Sequence, residues 1–358
     1  MTRGLVTPFS AWSVVGTVAT VSAEAGPELV QWCRDETTGL RAVIAVHSTA
    51  LGPSCGGTRY RPYASEDEAL ADVLRLAEAM TYKHAACGND LGGGKAVIIG
   101  EPHTERTEAL IRRYAQFIDS LAGAYLTAED VGTTQADMDL IATVTPYVTG
   151  TTAGSGDPSP ATAWGVLHAM HAVAESLWGA ATLEGRHVVV SGAGKVGGAL
   201  VGHLRDAGAR VSVADPVVRV DGVDQVDPAT AHTIPCDIFS PNAYGAVLSA
   251  RTIPELRCAA VCGAANNQLA TVEDRFRLAE EGVLYAPDYV ANAGGVINIA
   301  DELGDHGSYD RDRAFARVAG IRDVMANVLR TARDEGITTA DAADRIAERR
   351  IAAAGTAP

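Results

Sequence analysis

The residues from His187 to Asp215 read HVVVSGAGKVGGALVGHLRDAGARVSVAD, and this stretch decides the fold. A short apolar strand runs into a GxGxxG turn, a helical segment follows at once, and a second apolar strand ends in an aspartate. In that arrangement the glycines let the backbone approach a pyrophosphate, and the N–H groups of the helix start face its negative charge. The complete order predicts a dinucleotide site in a parallel, doubly wound α/β sheet, whereas three glycines alone would also fit an ordinary turn.

The predicted dinucleotide site has two parts, the turn with the start of its helix and the aspartate that ends the next strand. The carboxylate of Asp215 can accept hydrogen bonds from a ribose 2′-hydroxyl, and it would repel the 2′-phosphate of NADP. We therefore expect NAD as the cofactor. The residues of this stretch that are predicted to bind it are Gly192, Gly194, Lys195, Val196, Gly197 and Asp215.

Short apolar strands and helical segments continue to alternate after Asp215, as the rest of such a sheet requires. Before it, the turn-rich SGDPSP at 155–160 predicts a connection between domains, and a length of 358 residues suits about two domains. We predict an N-terminal α/β substrate, catalytic and oligomerisation domain over 1–153, an NAD-binding domain over 154–329, and a cleft between them. A C-terminal helix at about 330–358 is expected to complete the first domain.

The charge and composition of the chain make some classes of binding partner improbable. Its 29 Lys and Arg residues stand against 44 Asp and Glu residues, and a net charge of −15 would repel nucleic acid and anionic membranes. No apolar run has the length of a membrane-spanning helix, and the leader-like stretch from Val14 to Ala25 has an interrupted apolar core. The six cysteines form no CxxC pair and no histidine cluster stands beside them, which favours reduced thiols over zinc ligation. We expect a soluble, cytoplasmic enzyme that acts on small molecules, without a metal.

Periodicity and capping patterns predict elements in the N-terminal half. LRAVIAVH at 40–47 is apolar and β-branched, as is typical of a buried strand. Ser65 followed by Glu68 is a capping-box pattern, and it predicts a helix that carries Lys83 near its end. A second amphipathic helix is predicted from about Glu105 to Gly123.

Two lysines in MTYKHAACGNDLGGGK, Lys83 and Lys95, flank a glycine run at 92–94. We expect this run to be a loop that folds Lys95 towards Lys83. Two neighbouring ammonium groups disfavour each other's charge, so that one lysine can act as a base near neutral pH while the other binds a carboxylate. Solvated surface lysines would fit the spacing equally well, and Asp130 in TAEDVGT is equally ambiguous by itself.

Six motifs occur in one order along most of the chain, and together they resemble the glutamate/leucine/phenylalanine/valine dehydrogenase family, most of all its valine and leucine dehydrogenases. The resemblance implies NAD-dependent, reversible oxidative deamination of an L-amino acid to its 2-oxo acid and ammonia, carried out by a homo-oligomer. The motifs are GPxxGGTR (52–59), MTYK (80–83), GGGK (92–95), AEDVGT (128–133), CGAANNQL (262–269) and PDYVANAGG (287–295).

The resemblance also implies roles for residues near the reacting atoms. Lys83 would bind the substrate α-carboxylate, with help from the backbone around Gly56 and Gly57. Lys95 would be the general acid/base that activates water against the imine. Asp130 would relay protons to and from the substrate nitrogen.

On the cofactor side, the resemblance places Asn292 against the substrate amino group or the nicotinamide ribose, and Thr162 against the carboxamide. Ala264 and Asn266 are expected to contact NAD as well. An uncharged pocket is implied for the substrate side chain, and it predicts an aliphatic, branched-chain amino acid. The pocket residues are Cys55, Ala128, Val296 and Ile299.

Three alternatives remain open on the sequence. A phenylalanine dehydrogenase would use the same mechanism. A glutamate dehydrogenase would need a charged partner for the second carboxylate, yet Cys55 stands where those enzymes place a lysine. A non-catalytic NAD-binding regulator would have kept the fold and lost the chemistry, and the joint retention of Lys83, Lys95 and Asp130 argues against it.

Three positions depart from the pattern of the family. Asp157 stands where many relatives have Asn, His84 stands where Asn is frequent, and Tyr244 lies in PNAYG where PCALG is common. These changes bear on cofactor affinity and substrate range. We interpret His84 as a packing residue, since Lys95 already fills the role of a base.

Overall fold

The strands of the protein form two six-stranded sheets in the computed structural model, which describes residues 18–19, 26–303 and 308–355. Most of the leader-like stretch from Val14 to Ala25 lies outside the described residues, as do the start of the range 1–153 and the last residues of the tail. Across the described residues, no helix combines the length and apolar character needed to cross a membrane.

The first sheet is mixed, and its strands run in the order β1-β2-β3-β5-β4-β6. The strands β1 to β3 and β5 pair antiparallel, whereas β4 pairs parallel with both β5 and β6. The elements are β1 Val18–Ala19, β2 Leu29–Asp35, β3 Leu40–Ser48, β4 Ser54–Arg61, α1 Glu66–Ala86, β5 Gly92–Ile99, α2 Glu108–Ser120, β6 Tyr125–Glu129 and α3 Gln135–Ala142.

The central strand β3 is covered on both faces, which explains its unbroken apolar sequence. Val43 packs with α1 through Val73, whereas Ile44 on the opposite face packs with α2 through Ile111. The predicted buried strand at 40–47 is therefore confirmed.

The predicted cap of α1 is confirmed, since the hydroxyl of Ser65 accepts a hydrogen bond from the backbone N–H of Glu68 at 3.1 Å. The second helix is shorter than predicted. It starts at Glu108 behind a Thr107 cap and ends at Ser120, because the chain turns before Gly123.

The prediction of a glycine loop at 92–94 was wrong, because these glycines belong to β5. A Cβ on Gly93 would lie 2.0 Å from Oγ1 of Thr81, and one on Gly92 would lie 2.0 Å from the carbonyl oxygen of Ser48. Gly93 is thus required by the close approach of α1 to the sheet, and Gly92 by the close approach of the end of β3. Lys95 is carried towards Lys83 by this packing and not by a turn.

The second sheet is parallel throughout, with the strand order β12-β11-β10-β7-β8-β9. The order changes direction at β7, which lies between β8 and β10, and ligands bind at such a point. The predicted doubly wound fold with a second α/β unit is confirmed. The elements are α4 Ser159–Trp178, β7 His187–Ser191, α5 Lys195–Asp206, β8 Arg210–Ala214, β9 Asp224–Gln225, β10 Cys236–Pro241, β11 Cys258–Val261, α6 Asp274–Glu280, β12 Leu284–Tyr285, α7 Asp288–Ala291 and α8 Gly294–Ala300.

Three helices follow, α9 Arg311–Ala319, α10 Ile321–Glu335 and α11 Thr339–Gly355. The helix predicted at about 330–358 is therefore broken, because Gly336 takes a left-handed conformation and ends α10. α10 packs on α4, whereas α11 packs on α1. The tail thus joins the two halves, and the domain limits 1–153 and 154–329 stay a prediction.

Candidate active site

A cavity of about 600 Å³ lies between the two halves of the chain. Its walls come from the ends of α1, β4 and β6 on one side and from α4, α7, α8 and the loop after β11 on the other. Most residues predicted for the site line this cavity: Gly56, Gly57, Lys83, Lys95, Ala128, Asp130, Thr162, Val196, Ala264, Asn266, Asn292, Val296 and Ile299.

Lys95 and Asp130 form an ion pair in the cavity, with Nζ 3.1 Å from Oδ1. The side chain of Lys95 is only 7% exposed. Gly57 on the intervening strand β4 makes room for the pair, because a Cβ there would lie 2.8 Å from the Cβ of Asp130. Because Gly57 has no side chain, Asp130, directly after β6, can contact Lys95 on β5.

Lys83 lies in the last turn of α1 and faces the same cavity. Burial lowers the pKa of Lys83 to about 8. The carboxylate of Asp288 opposes that effect, and the ammonium of Lys95 adds to it. The predicted lowering of a lysine pKa by burial and a neighbouring cation is thus found at Lys83, which keeps most of its charge at neutral pH.

His84 is fully buried beside this lysine and belongs to the packing. Its Nε2 lies 3.3 Å from the carbonyl oxygen of Cys55, and its Nδ1 lies 3.2 Å from the amide nitrogen of Asn89. Burial lowers the pKa of His84 to about 4, so the ring is neutral. Asn89 also donates to the carbonyl oxygen of Val296 at 3.2 Å, and this bond links the end of α1 to α8 across the cavity.

Three residues of the predicted side-chain pocket, Cys55, Ala128 and Ile299, belong to one apolar cluster, whereas Val296 packs against another. Ala128 and Ile299 pack with Leu126 and Leu91 next to the cavity. Cys55 belongs to the same cluster, but it is fully buried behind the cavity wall and does not line it. Burial raises the pKa of the Cys55 thiol to about 12, so this residue acts as a small neutral side chain.

The glycine turn after β7 has the shape that a dinucleotide needs. Gly192 has a φ of 98°, and a Cβ on Gly197 would lie 2.0 Å from the carbonyl oxygen of Gly192. Gly194 caps α5, and nothing lies within 4 Å of the place where its Cβ would be. The open helix start next to a tight turn fits a pyrophosphate.

Asp215 directly follows β8 and is held by backbone N–H groups of the glycine turn and of the residues after it. Its Oδ2 accepts from the N–H of Ala193 at 2.8 Å, and its Oδ1 accepts from the N–H groups of Val217 and Val218. These backbone hydrogen bonds lower the pKa of Asp215 and keep it ionised. Its predicted contact with a ribose would use the remaining lone pairs of the two oxygens.

Asn292 has an unused acceptor that faces the cofactor side. Its Nδ2 donates to the carbonyl oxygen of Ala264 at 3.0 Å and to Oδ1 of Asn266 at 2.8 Å. Its own Oδ1 is buried and finds no partner among the described residues. A buried acceptor without a partner is costly, so this atom fits an N–H or O–H group of a ligand.

Two of the three departures from the family pattern lie around this region, whereas His84 lies in α1. Asp157 forms an exposed ion pair with Lys195, with Oδ2 3.3 Å from Nζ. Tyr244 is 75% exposed in the loop that follows β10. Both positions are at the rim of the dinucleotide turn, and Lys195 and Asp157 also act electrostatically on Glu129, the neighbour of Asp130.

Sequence reasoning assigned no role to several residues that line the cavity, among them Arg59, Met80, Glu129 and Asp288. All four stand inside motifs that carry the resemblance, GGTR, MTYK, AEDVGT and PDYVANAGG. Spacing could have found two of them, since Met80 precedes Lys83 by one helical turn and Arg59 follows Gly57 by two residues on one face of β4.

Together, the two α/β halves, the glycine turn and the charged cavity define a two-domain, dinucleotide-dependent enzyme. Residues 29–147 match the model of the Glu/Leu/Phe/Val dehydrogenase dimerisation domain, and residues 216–357 match that of glutamate/leucine/phenylalanine/valine dehydrogenase. The chain belongs to this family. The predicted class, an oxidoreductase of amino acids that uses NAD, is thereby confirmed.

Relatives and solved structures match over most of the chain. A leucine dehydrogenase of Geobacillus stearothermophilus is 48% identical over 334 residues, 90% of each chain, and a valine dehydrogenase of Streptomyces albus is 49% identical over 347 residues, 93% of this chain and 94% of that one. The crystal structure of L-tryptophan dehydrogenase from Nostoc punctiforme is 40% identical, with a TM-score of 0.80 over 92% of this chain and 97% of that one. A glutamate dehydrogenase from Peptoniphilus asaccharolyticus, 23% identical with a TM-score of 0.75 over 92% of this chain and 91% of that one, shares the fold.

Proposed function

We propose that the protein catalyses the NAD-dependent, reversible oxidative deamination of an aliphatic, branched-chain L-amino acid of the valine or leucine type. The products are the 2-oxo acid, ammonia and NADH. The observation that carries the proposal is the buried ion pair of Lys95 and Asp130, with Lys83 beside it in one cavity. Leucine and valine dehydrogenases at 48% and 49% identity support the reaction and the substrate class.

The groups of the cavity suit the steps of this reaction. Lys83 and the backbone at Gly56 and Gly57 bind the α-carboxylate, and this contact orients Cα. NAD, held by the glycine turn and Asn292, supplies the hydride acceptor. Lys95 passes its own proton to Asp130, and the neutral amine then takes a proton from the water that attacks the iminium carbon. Asp130, at hydrogen-bonding distance from Lys95, moves protons to and from the nitrogen that leaves as ammonia.

The apolar cluster around Ala128 and Ile299 supports an aliphatic side chain. A glutamate carboxylate placed there would lose its water without gaining a partner, which is a costly arrangement. One methylene in such a pocket changes binding by only about 1–3 kcal/mol, so valine, isoleucine and leucine should overlap as substrates.

We also propose an oligomeric state, a cellular compartment and domain limits for the protein. The homo-oligomer implied by the sequence is supported by the dimerisation domain that residues 29–147 match. All six cysteines are free thiols, which supports a reducing compartment such as the cytoplasm. The ranges 1–153 and 154–329, the first completed by the tail at about 330–358, are kept as the proposed domains on either side of the cleft.

The test is a panel of kcat/KM values for valine, leucine, phenylalanine and glutamate, measured with NAD through NADH formation. Valine or leucine should rank first, phenylalanine lower and glutamate far lower. A first rank for phenylalanine would contradict the pocket assignment. No turnover with any amino acid, while NADH still binds, would favour the non-catalytic regulator.

A further inference from the structure

Arg59 in the GGTR motif of β4 has no part in the reaction described above, yet its guanidinium contacts two acids. Its Nε donates to Oδ2 of Asp130 at 3.1 Å, and its Nη1 donates to Oδ2 of Asp72 at 2.9 Å. The side chain is 18% exposed and lines the cavity. Because a guanidinium is a rigid planar fork, these two contacts fix both its place and its orientation.

The side of the guanidinium away from Asp130 is anchored on α1. Asp72 is 12% exposed, and it also accepts from the hydroxyl of Tyr63 at 2.9 Å and from Nη2 of Arg75 at 2.8 Å. With three donors around it, the carboxylate of Asp72 has a fixed position. Arg59 is therefore held against Asp130 and cannot turn away without losing a partly buried partner.

The two oxygens of Asp130 consequently differ. Oδ1 lies 3.1 Å from Nζ of Lys95, whereas Oδ2 accepts from Arg59. An oxygen at which a guanidinium N–H already points is a poor site for a proton. Oδ1, on the Lys95 side, is the oxygen left for proton exchange.

We propose that Arg59 is a positioning residue for the deamination reaction: it fixes the orientation of the Asp130 carboxylate and directs proton exchange to Oδ1. The inference rests on the proposed function, since it requires Asp130 to relay protons. Other charges face Asp130 as well, and they remain when Arg59 is replaced. They are Lys95 from β5, Lys83 from α1, Glu129 from its own strand end, and Asp72 behind the guanidinium.

The test is the split between kcat and KM for the 2-oxo acid, measured with NADH and saturating ammonium at neutral pH. Arg59 contacts Asp130 and Asp72, whereas Lys83 is the proposed ligand of the substrate carboxylate. In Arg59→Gln the carboxylate of Asp130 loses the donor that orients it. We therefore expect kcat to fall about tenfold or more while the KM for the 2-oxo acid changes little.

Two further variants separate positioning from a general structural effect. Arg59→Lys keeps the charge and loses the planar fork, so kcat should fall severalfold, less than in Arg59→Gln. Arg34→Gln removes an exposed ion pair with Glu66 in the first turn of the same helix α1 and should leave kcat and KM unchanged. NADH binding, followed by fluorescence, should be unaffected in all three.

The outcomes that overturn the proposal are distinct. A raised KM or weaker NADH binding that accounts for the whole loss of activity in Arg59→Gln, with kcat unchanged, would show a structural role alone. An Arg59→Lys variant identical to the wild type in kcat would show that the fork is not needed, and this result decides the matter even if Arg59→Gln does not fold. A wild-type enzyme without turnover would refute the proposed function, and this inference with it.

Discussion

Charges held close together in a partly buried cavity give the site its chemistry at the scale of single residues. The ion pair of Lys95 and Asp130 supplies groups that can exchange protons over 3.1 Å. Lys83, whose pKa is lowered to about 8, supplies an ammonium group beside them. A carboxylate bound to Lys83 therefore brings its own Cα and nitrogen next to groups that can take and return protons.

Lys95→Ala should lower kcat by about a hundredfold or more, because it removes the proposed acid/base group. NADH binding should not change, since Lys95 lies on β5 and the glycine turn belongs to the other sheet. Steady-state kinetics measure the first quantity and NADH fluorescence the second. A kcat within about tenfold of the wild type would refute the acid/base role.

Asp215 should give the enzyme a preference for NAD over NADP in kcat/KM, because its carboxylate would face the additional phosphate. In Asp215→Asn the ratio of NADP to NAD efficiency should rise. Binding of both cofactors should weaken, since the carboxylate also holds Ala193 of the glycine turn.

Asp224→Asn, at an exposed position on the neighbouring β9, is the matched control and should leave the ratio unchanged. Equal efficiency of NAD and NADP in the wild type would show that Asp215 does not reach the ribose.

At the scale of elements, a feature could be predicted from the sequence when the residues that form it lie close together along the chain. The strand, turn, helix and strand predicted for the dinucleotide site lie between His187 and Asp215, so that every determinant is local, and the prediction of these elements is confirmed. The contact of Arg59 with Asp72 and Asp130 unites three elements. No rule of sequence spacing connects positions on three elements, so this contact is seen only in the structure.

The glycine run at 92–94 shows a second limit. A glycine indicates either a special backbone angle or a lack of room for a side chain, and a sequence does not distinguish the two. Here the neighbour that excludes a side chain at Gly93 is Thr81, on a different element. The lysine pair was therefore predicted correctly to lie close together, but for the wrong local reason.

Gly93→Ala should consequently disturb the site through the packing of two elements. The added Cβ would lie 2.0 Å from Oγ1 and 2.2 Å from the backbone nitrogen of Thr81, so α1 must shift and carry Lys83 with it. We expect a loss of about 1–3 kcal/mol in the free energy of unfolding and a raised KM for the amino acid.

Gly202→Ala in α5 is the control for this substitution. Nothing lies within 4 Å of its added Cβ, and alanine suits a helix better than glycine. Urea unfolding should therefore show equal or greater stability. A Gly93→Ala variant as stable and active as the wild type would contradict the packing argument.

At the scale of the whole molecule, helices that cross between the halves hold the cleft together. Nη1 of Arg350 on α11 donates to the carbonyl oxygens of His84 and Asn89, at the end of the helix that carries Lys83. On the other side, α10 packs on α4, whose first turn contributes Thr162 to the cavity. The geometry of the site thus depends on the stability of the helical layer, and α4 carries two partly buried histidines, His168 and His171.

His168 on α4 makes that stability depend on pH. Its ring contacts Trp164 at 4.6 Å between centroids, and its Nε2 is buried without a partner among the described residues. Burial lowers the pKa of His168 from 6.5 to about 4, with a further lowering by His171, Arg322 and His203. Between these two values the unfolded chain binds the proton and the folded chain does not. The stability is therefore complete above about pH 6.5 and is lost as the pH falls towards about 4.

His168→Phe should make the protein less sensitive to acid, because phenylalanine keeps an edge contact with Trp164 and carries no titrating nitrogen. Urea unfolding at several pH values between about 4 and about 6.5 should give a smaller slope of the free energy of unfolding against pH. The slope should fall by at most about 1.4 kcal/mol per pH unit, the limit for one proton. His103→Gln, at an exposed position, should keep the wild-type slope. An unchanged slope in His168→Phe would mean that His168 titrates alike in the folded and unfolded chains, and that the acid sensitivity has another source.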